Sequence, residues 1–75
     1  MAQRHAALTR LGSNLRKQRE KLDLTQEILA EKAELDQTYI SGIENGSRNP
    51  TILSAIRIAK ALKTSVSELC EGIDR

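Results

Sequence analysis

"QEILAEKAELDQTYISGIEN", residues 26–45, decides the fold of this chain, because it places two short apolar-spaced runs close together with a few polar residues between them. In the first run Ile28, Leu29 and Ala33 supply one inward helical face, and in the second Ile40 and Ile43 do the same. Thr25 stands where a hydroxyl caps the first run, and Glu27 lies in its first turn, where the helix dipole favours an acid. Asp36 is the corresponding cap of the second run, which Asn45 and Gly46 end. The spacing therefore predicts two short helices separated by a three-residue turn.

The flanks extend the same pattern. Leu8, Leu11, Leu15 and Leu22 recur at helical spacing and predict an amphipathic helix over about residues 5–22. Pro50 and Thr51 introduce "ILSAIRIAKALK", whose predicted stripe is Leu53, Ile56, Ala59 and Leu62, with Ile52 and Ile58 beside it. Ser65 and Glu68 have capping-box spacing, which predicts a fifth helix over about Val66 to Glu71. The expected fold class is all-α, a compact five-helix domain spanning 1–75 with its decisive helix pair at about 26–45.

Composition agrees. The chain has 75 residues, 39% of them apolar, and Tyr39 is its only aromatic, whereas sheets favour aromatic and β-branched residues. No apolar run has the length of a membrane span and "MAQRHAALTR" lacks the apolar centre of a signal peptide, so a cytoplasmic protein without membrane association is expected. Cys70 is the sole cysteine and His5 the sole histidine, too few for a metal site or an internal disulfide. No nucleophile, base and orienting group converge, so an enzyme is disfavoured and neither cofactor nor small-molecule ligand is expected.

The net charge of +2 conceals a pattern. Residues 1–22 carry +5 from Arg4, Arg10, Arg16, Lys17, Arg19 and Lys21 against Glu20; residues 23–46 carry −5, and residues 47–63 carry +4 from Arg48, Arg57, Lys60 and Lys63. Alone, such runs read more simply as solvated helix faces.

Two short helices joined by a tight turn fit the helix-turn-helix unit, whose second helix enters the DNA major groove. The apolar slots match: Leu29 and Ala33 face inward, Ala30 is small where the helices cross, Leu35 plugs the turn, and Ile40 and Ile43 pack the second helix back. "LTQEILAEKAELDQTYISGIENGSRNPTI", residues 24–52, closely resembles the XRE family of Cro and lambda-repressor type, including the small controller proteins of restriction-modification systems. The resemblance extends over roughly residues 11–69. It implies a lambda-repressor-like DNA-binding domain acting as a transcription regulator.

The same resemblance assigns roles. Gln37 and Thr38 occupy the exposed start of the recognition helix, where family members touch base edges, with Ser41 and Gly42 farther along the same side. Gln can pair with adenine and a Thr methyl can meet the thymine methyl, which predicts an A·T-leaning element in each half-site. Gln26, at the start of the preceding helix, is expected on a phosphate. So are Asn45, Ser47, Arg48 and Asn49, while Tyr39 either donates to a phosphate or covers the edge of the interior. For Arg48 the competing reading is a salt bridge to Glu44. Glu27, Glu31 and Glu34 would repel DNA and are expected to point away, toward Arg16, Arg19 or Lys17.

Two departures stand out. Glu34 occupies a turn position where the family usually has a left-handed glycine, at a cost of about 1 kcal/mol to a residue with a side chain. The recognition helix also lacks Lys or Arg at its N-terminal contact positions, so guanine readout there is absent and DNA deformation gains weight.

Family members dimerise on inverted repeats with half-sites about 34 Å apart. The expected dimer surface lies within residues 52–73, at Ile52, Ile58, Val66, Leu69, Cys70 and Ile73, unless these are all internal core. The expected function is a homodimeric, sequence-specific regulator of the controller type acting on its own promoter. The alternatives are an antitoxin-type repressor with a toxin partner and a pure protein-interaction module, and the latter would need an apolar face on the second short helix.

Overall fold

The structure, a computed structural model, describes residues 5–75; Arg4 of the basic N-terminal block lies outside them. Five helices follow in order: α1 (Ala6–Lys21), α2 (Gln26–Ala33), α3 (Gln37–Glu44), α4 (Ile52–Ala61) and α5 (Val66–Leu69). The described residues contain no strand.

Local chemistry sets the boundaries. Thr25, Thr51 and Ser65 cap α2, α4 and α5, each side-chain oxygen accepting an amide three residues on, at 3.0–3.1 Å. The capping box of α5 is only half made, because Glu68 turns to accept from Thr64 Oγ1 at 2.8 Å. This helix closes at Leu69, before the expected Glu71. Asp36 holds the N-cap position of α3 with extended backbone but makes no side-chain cap bond.

The exits of α1, α2 and α4 share one device. Asp23, Glu34 and Lys63 take left-handed φ values of 55°, 58° and 56°. The following amide then reaches back five residues, Leu24 to Arg19 at 3.2 Å, Leu35 to Ala30 at 2.9 Å and Thr64 to Ala59 at 2.9 Å. Glu34 thus adopts the conformation that its family position requires, without glycine. A sharp reversal between α2 and α3 follows, and Leu35 packs beneath it on the core.

Leu11, Leu15, Leu29, Ala30, Ala33, Ile40, Ile43, Ile58, Ala59, Leu62 and Leu69 form the buried core, to which all five helices contribute. α3 is its centre, with α1 on one side and α2 on the other, while α4 lies against α2 and α5 joins α1 to α4. Gly12 of α1 fits directly against the carbonyl oxygens of Ile43 and Glu44, so α1 approaches the end of α3 closer than any side chain would permit.

Several expected inward residues lie outside this core. Leu22 follows α1 as its C-cap and is 42% exposed, as is Ile28 on the outer side of α2. The inner stripe of α4 is Ala55, Ile58, Ala59 and Leu62, whereas Leu53 is 69% exposed. The observed stripe is offset from the expected one because eight of the eleven positions from Ile52 to Leu62 are apolar, which leaves more than one apolar face for helical periodicity to choose.

Candidate nucleic-acid interface

In the first turn of α3 Gln37 and Thr38 are exposed, while Ile40 and Ile43 anchor the opposite face. The side chains expected on base edges are therefore presented outward by a helix whose inner face is held in the core. Ser41 is half-buried and lines a polar depression with Arg16, Arg19, Gln26, Glu44 and Asn45. Gly42 departs from the expectation: it is buried, and the space a Cβ would need is filled by the Arg48 side chain. It faces the following loop, and its role as a base-contacting position is withdrawn.

That loop winds around one acceptor. The Gly42 carbonyl receives the Ser47 amide at 2.9 Å, the Arg48 amide at 3.1 Å and the Ser47 hydroxyl at 3.2 Å. Asn45 Oδ1 accepts from the Ser47 amide at 3.0 Å, and Gly46 turns the chain with a φ of 81°. Asn45, Ser47, Arg48 and Asn49 are all exposed beside the recognition helix, with Asn45 and Ser47 also fixing the loop.

Tyr39 covers the edge of the interior, the second of its two expected roles. Its half-buried ring packs on the core, and its hydroxyl oxygen accepts the Thr51 amide at 3.2 Å, tying α3 to the start of α4. The hydroxyl proton stays available to an outside acceptor. The Arg48 guanidinium lies 6.0 Å from the ring centre.

Glu44 does not pair with Arg48. Its carboxylate, 5% exposed, accepts from Arg19 Nε at 2.6 Å and Nη2 at 3.0 Å, and from Gln26 Nε2 at 3.1 Å. Arg19 also donates to the Leu24 carbonyl at 2.6 Å. The hydrogen bond with Glu44, opposed by burial, raises the Arg19 pKa and keeps the guanidinium charged. Gln26 is thus oriented by Glu44 at the N-terminus of α2, and its carboxamide oxygen makes no hydrogen bond among the described residues. Glu27, Glu31 and Glu34 form no ion pair with α1 among the described residues; Arg16 pairs with Glu20 instead, exposed and one turn away at 3.2 Å. The expected pairing of α2 acids with Arg16, Arg19 or Lys17 is corrected accordingly.

Of the residues expected at a dimer surface, Ile58 and Leu69 are each 1% exposed and belong to the core of a single chain. Ile52 is 67% exposed, with Leu53 next to it. Val66, Cys70 and Ile73 are half-buried against the core, and Ile52, Cys70 and Ile73 line one apolar groove with Leu8, Pro50 and Ala55. Sequence reasoning missed Leu53, the Arg19–Glu44 pair, and Asn14, whose Nδ2 donates to the carbonyls of Leu69 at 2.9 Å and Glu71 at 2.8 Å.

A five-helix core presenting the first turn of a short helix, flanked by hydroxyl, amide and guanidinium donors, defines a DNA-binding helix-turn-helix domain. Residues 15–69 match the Helix-turn-helix family, and the chain belongs to it. It is 43% identical over 67 residues to the control protein C.MunI of a Mycoplasma species, an alignment spanning 88% of this chain and 90% of that protein. Control protein C.SmaI of Serratia marcescens is 46% identical over 59 residues, 79% of this chain and 70% of its own. Among solved structures, the restriction-modification controller protein C.AhdI from Aeromonas hydrophila superposes with a TM-score of 0.81 at 37% identity, over 83% of this chain and 94% of that one.

Proposed function

We propose that this helix-turn-helix regulator binds an inverted-repeat operator as a homodimer and controls the genes of a restriction-modification system, its own promoter included. The observation that carries the DNA reading is the exposed first turn of α3, with Gln37 and Thr38 outward and Tyr39 and Arg48 at its edge. Gln37 and Thr38 read bases; Gln26, Tyr39, Asn45, Ser47, Arg48 and Asn49 meet the backbone and set the register. The likeness to named controller proteins supports the biological setting.

The antitoxin alternative asks for a tail free to order on a partner. Here the Glu71 carbonyl accepts from Asn14 and from Arg10 Nε at 3.2 Å, and Ile73 packs on the core, which favours the controller reading. The interaction-module alternative asks for an apolar outer face on α3, whereas Gln37 and Thr38 are polar.

The test is selection of duplexes from a random pool with the purified protein at moderate salt. An enriched inverted repeat with half-site centres about 34 Å apart is the expected outcome. A folded protein that enriches no sequence over the input would overturn the reading.

A further inference from the structure

Glycine is a poor helix former, yet Gly42 lies buried in the middle of an eight-residue helix. Its helical backbone does not call for glycine, since it is not among the positive-φ residues. The reason lies across the helix. A Cβ at position 42 would run into Cγ of Arg48 and stand 3.3 Å from its Cβ and 3.5 Å from its Cδ. The Arg48 stem therefore rests in a notch on α3 that the missing side chain opens.

Two further contacts fix its course. The Arg48 amide donates to the Gly42 carbonyl at 3.1 Å, anchoring the stem's origin, and the guanidinium lies 6.0 Å from the centre of the Tyr39 ring, one helical turn earlier on α3. Glu44, the acid nearest in sequence, is occupied by Arg19 and Gln26. Glu31, Glu34 and Asp36 line the same depression as Arg48 but form no ion pair with it among the described residues. Among the described residues the guanidinium is thus placed beside the ring with no carboxylate at ion-pair distance.

We propose that Gly42 is a positioning residue for DNA binding: its notch lays the Arg48 side chain across α3 onto Tyr39, which delivers the guanidinium to a backbone phosphate beside the groove. This rests on the DNA-binding reading above. Pre-setting a long flexible side chain reduces the conformational freedom lost on binding, so the effect is expected in affinity common to all sequences.

A double-mutant cycle tests it, using a mixed-sequence duplex about three helical turns long at several salt concentrations. Arg48→Ala and Gly42→Ala are each expected to weaken binding about tenfold and to lower the salt slope by about one. Gly42→Ala added to Arg48→Ala should cost little further, since Cγ, the atom it runs into, is gone and only the Cβ at 3.3 Å remains. Losses that multiply, or a Gly42→Ala protein that binds like the parent, overturn the proposal. In the free protein, the Tyr39 ring-current shift on the Arg48 stem protons should vanish in Gly42→Ala; its persistence also overturns the notch. Should Gly42→Ala alone fail to fold, the double variant must fold, and its failure would place the obstruction elsewhere. If the parent binds no duplex, the DNA reading and the phosphate role fail together, while the ring-current comparison still decides the notch.

Discussion

Arg19, near the end of α1, grips Glu44, the last residue of the recognition helix, through two parallel hydrogen bonds of 2.6 and 3.0 Å. The pair is nearly buried, at 12% and 5% side-chain exposure, and Gln26 adds a third donor to the carboxylate. It joins α1, α2 and α3 through one carboxylate.

Removing one partner strands the other. Arg19→Ala or Glu44→Ala is expected to lower unfolding free energy by about 3–5 kcal/mol, and the double variant by much less than the sum. Urea unfolding of the three variants measures both quantities. The pH dependence follows from the raised Arg19 pKa: its contribution is fully present below the ordinary guanidinium value and is lost only as pH rises through the higher folded value. From this residue, the difference between parent and Arg19→Ala should stay level across the neutral range.

Gly12 makes a second long-range contact to the same end of α3. Alanine would gain up to about 1 kcal/mol in helix propensity. Its Cβ, however, would meet the carbonyl oxygens of Ile43 and Glu44, backbone atoms that cannot swing aside. Overpacking of this kind costs about 1–3 kcal/mol, so Gly12→Ala should melt lower than the parent. A higher melting temperature would mean that α1 can slide without penalty.

Much of this organisation is legible in the chain, and the exceptions have identifiable causes. The caps at Thr25 and Ser65 and the inward set Leu29, Ala33, Ile40 and Ile43 are local signals, each spanning a few residues, and they stand in the structure, whereas the left-handed position of Glu34 is implied only by the family resemblance, where glycine is usual. The outward placement of Gln37 and Thr38 follows from those same inward neighbours. What escaped was either non-local or degenerate. Arg19 and Glu44 are 25 positions apart, and nothing in spacing alone selects that acid over Glu27, Glu31 or Glu34. The Gly42 notch depends on a side chain from the next loop, and the face of α4 is ambiguous where eight of eleven positions are apolar.

Base readout and backbone contact should separate by mutation. Gln37→Ala is expected to relax preference at one base pair of each half-site, at about 1–3 kcal/mol, while leaving the salt slope unchanged. Arg48→Ala should weaken binding to every sequence and flatten the slope by about one. Competition binding against single-base operator variants distinguishes the two patterns. Uniform loss on all variants from Gln37→Ala would remove it from the readout set.

Burial divides the six residues expected at the dimer surface. Ile58 and Leu69 are sealed within one chain, so Leu69→Ala should cost about 2–5 kcal/mol in folding whatever the oligomeric state. Ile52 and Leu53, at 67% and 69% exposure on the first turn of α4, touch little of their own chain and adjoin the groove containing Cys70 and Ile73. Large apolar side chains this exposed and adjacent are candidates for burial against a second copy. Ile52→Glu with Leu53→Glu should keep the helical fold and its melting behaviour at low concentration, yet abolish self-association in sedimentation equilibrium. Operator binding should then need far more protein, since two half-sites would be filled by independent monomers. A charged double variant that still sediments as the parent does would move the dimer surface away from α4, toward Val66 and the end of α5.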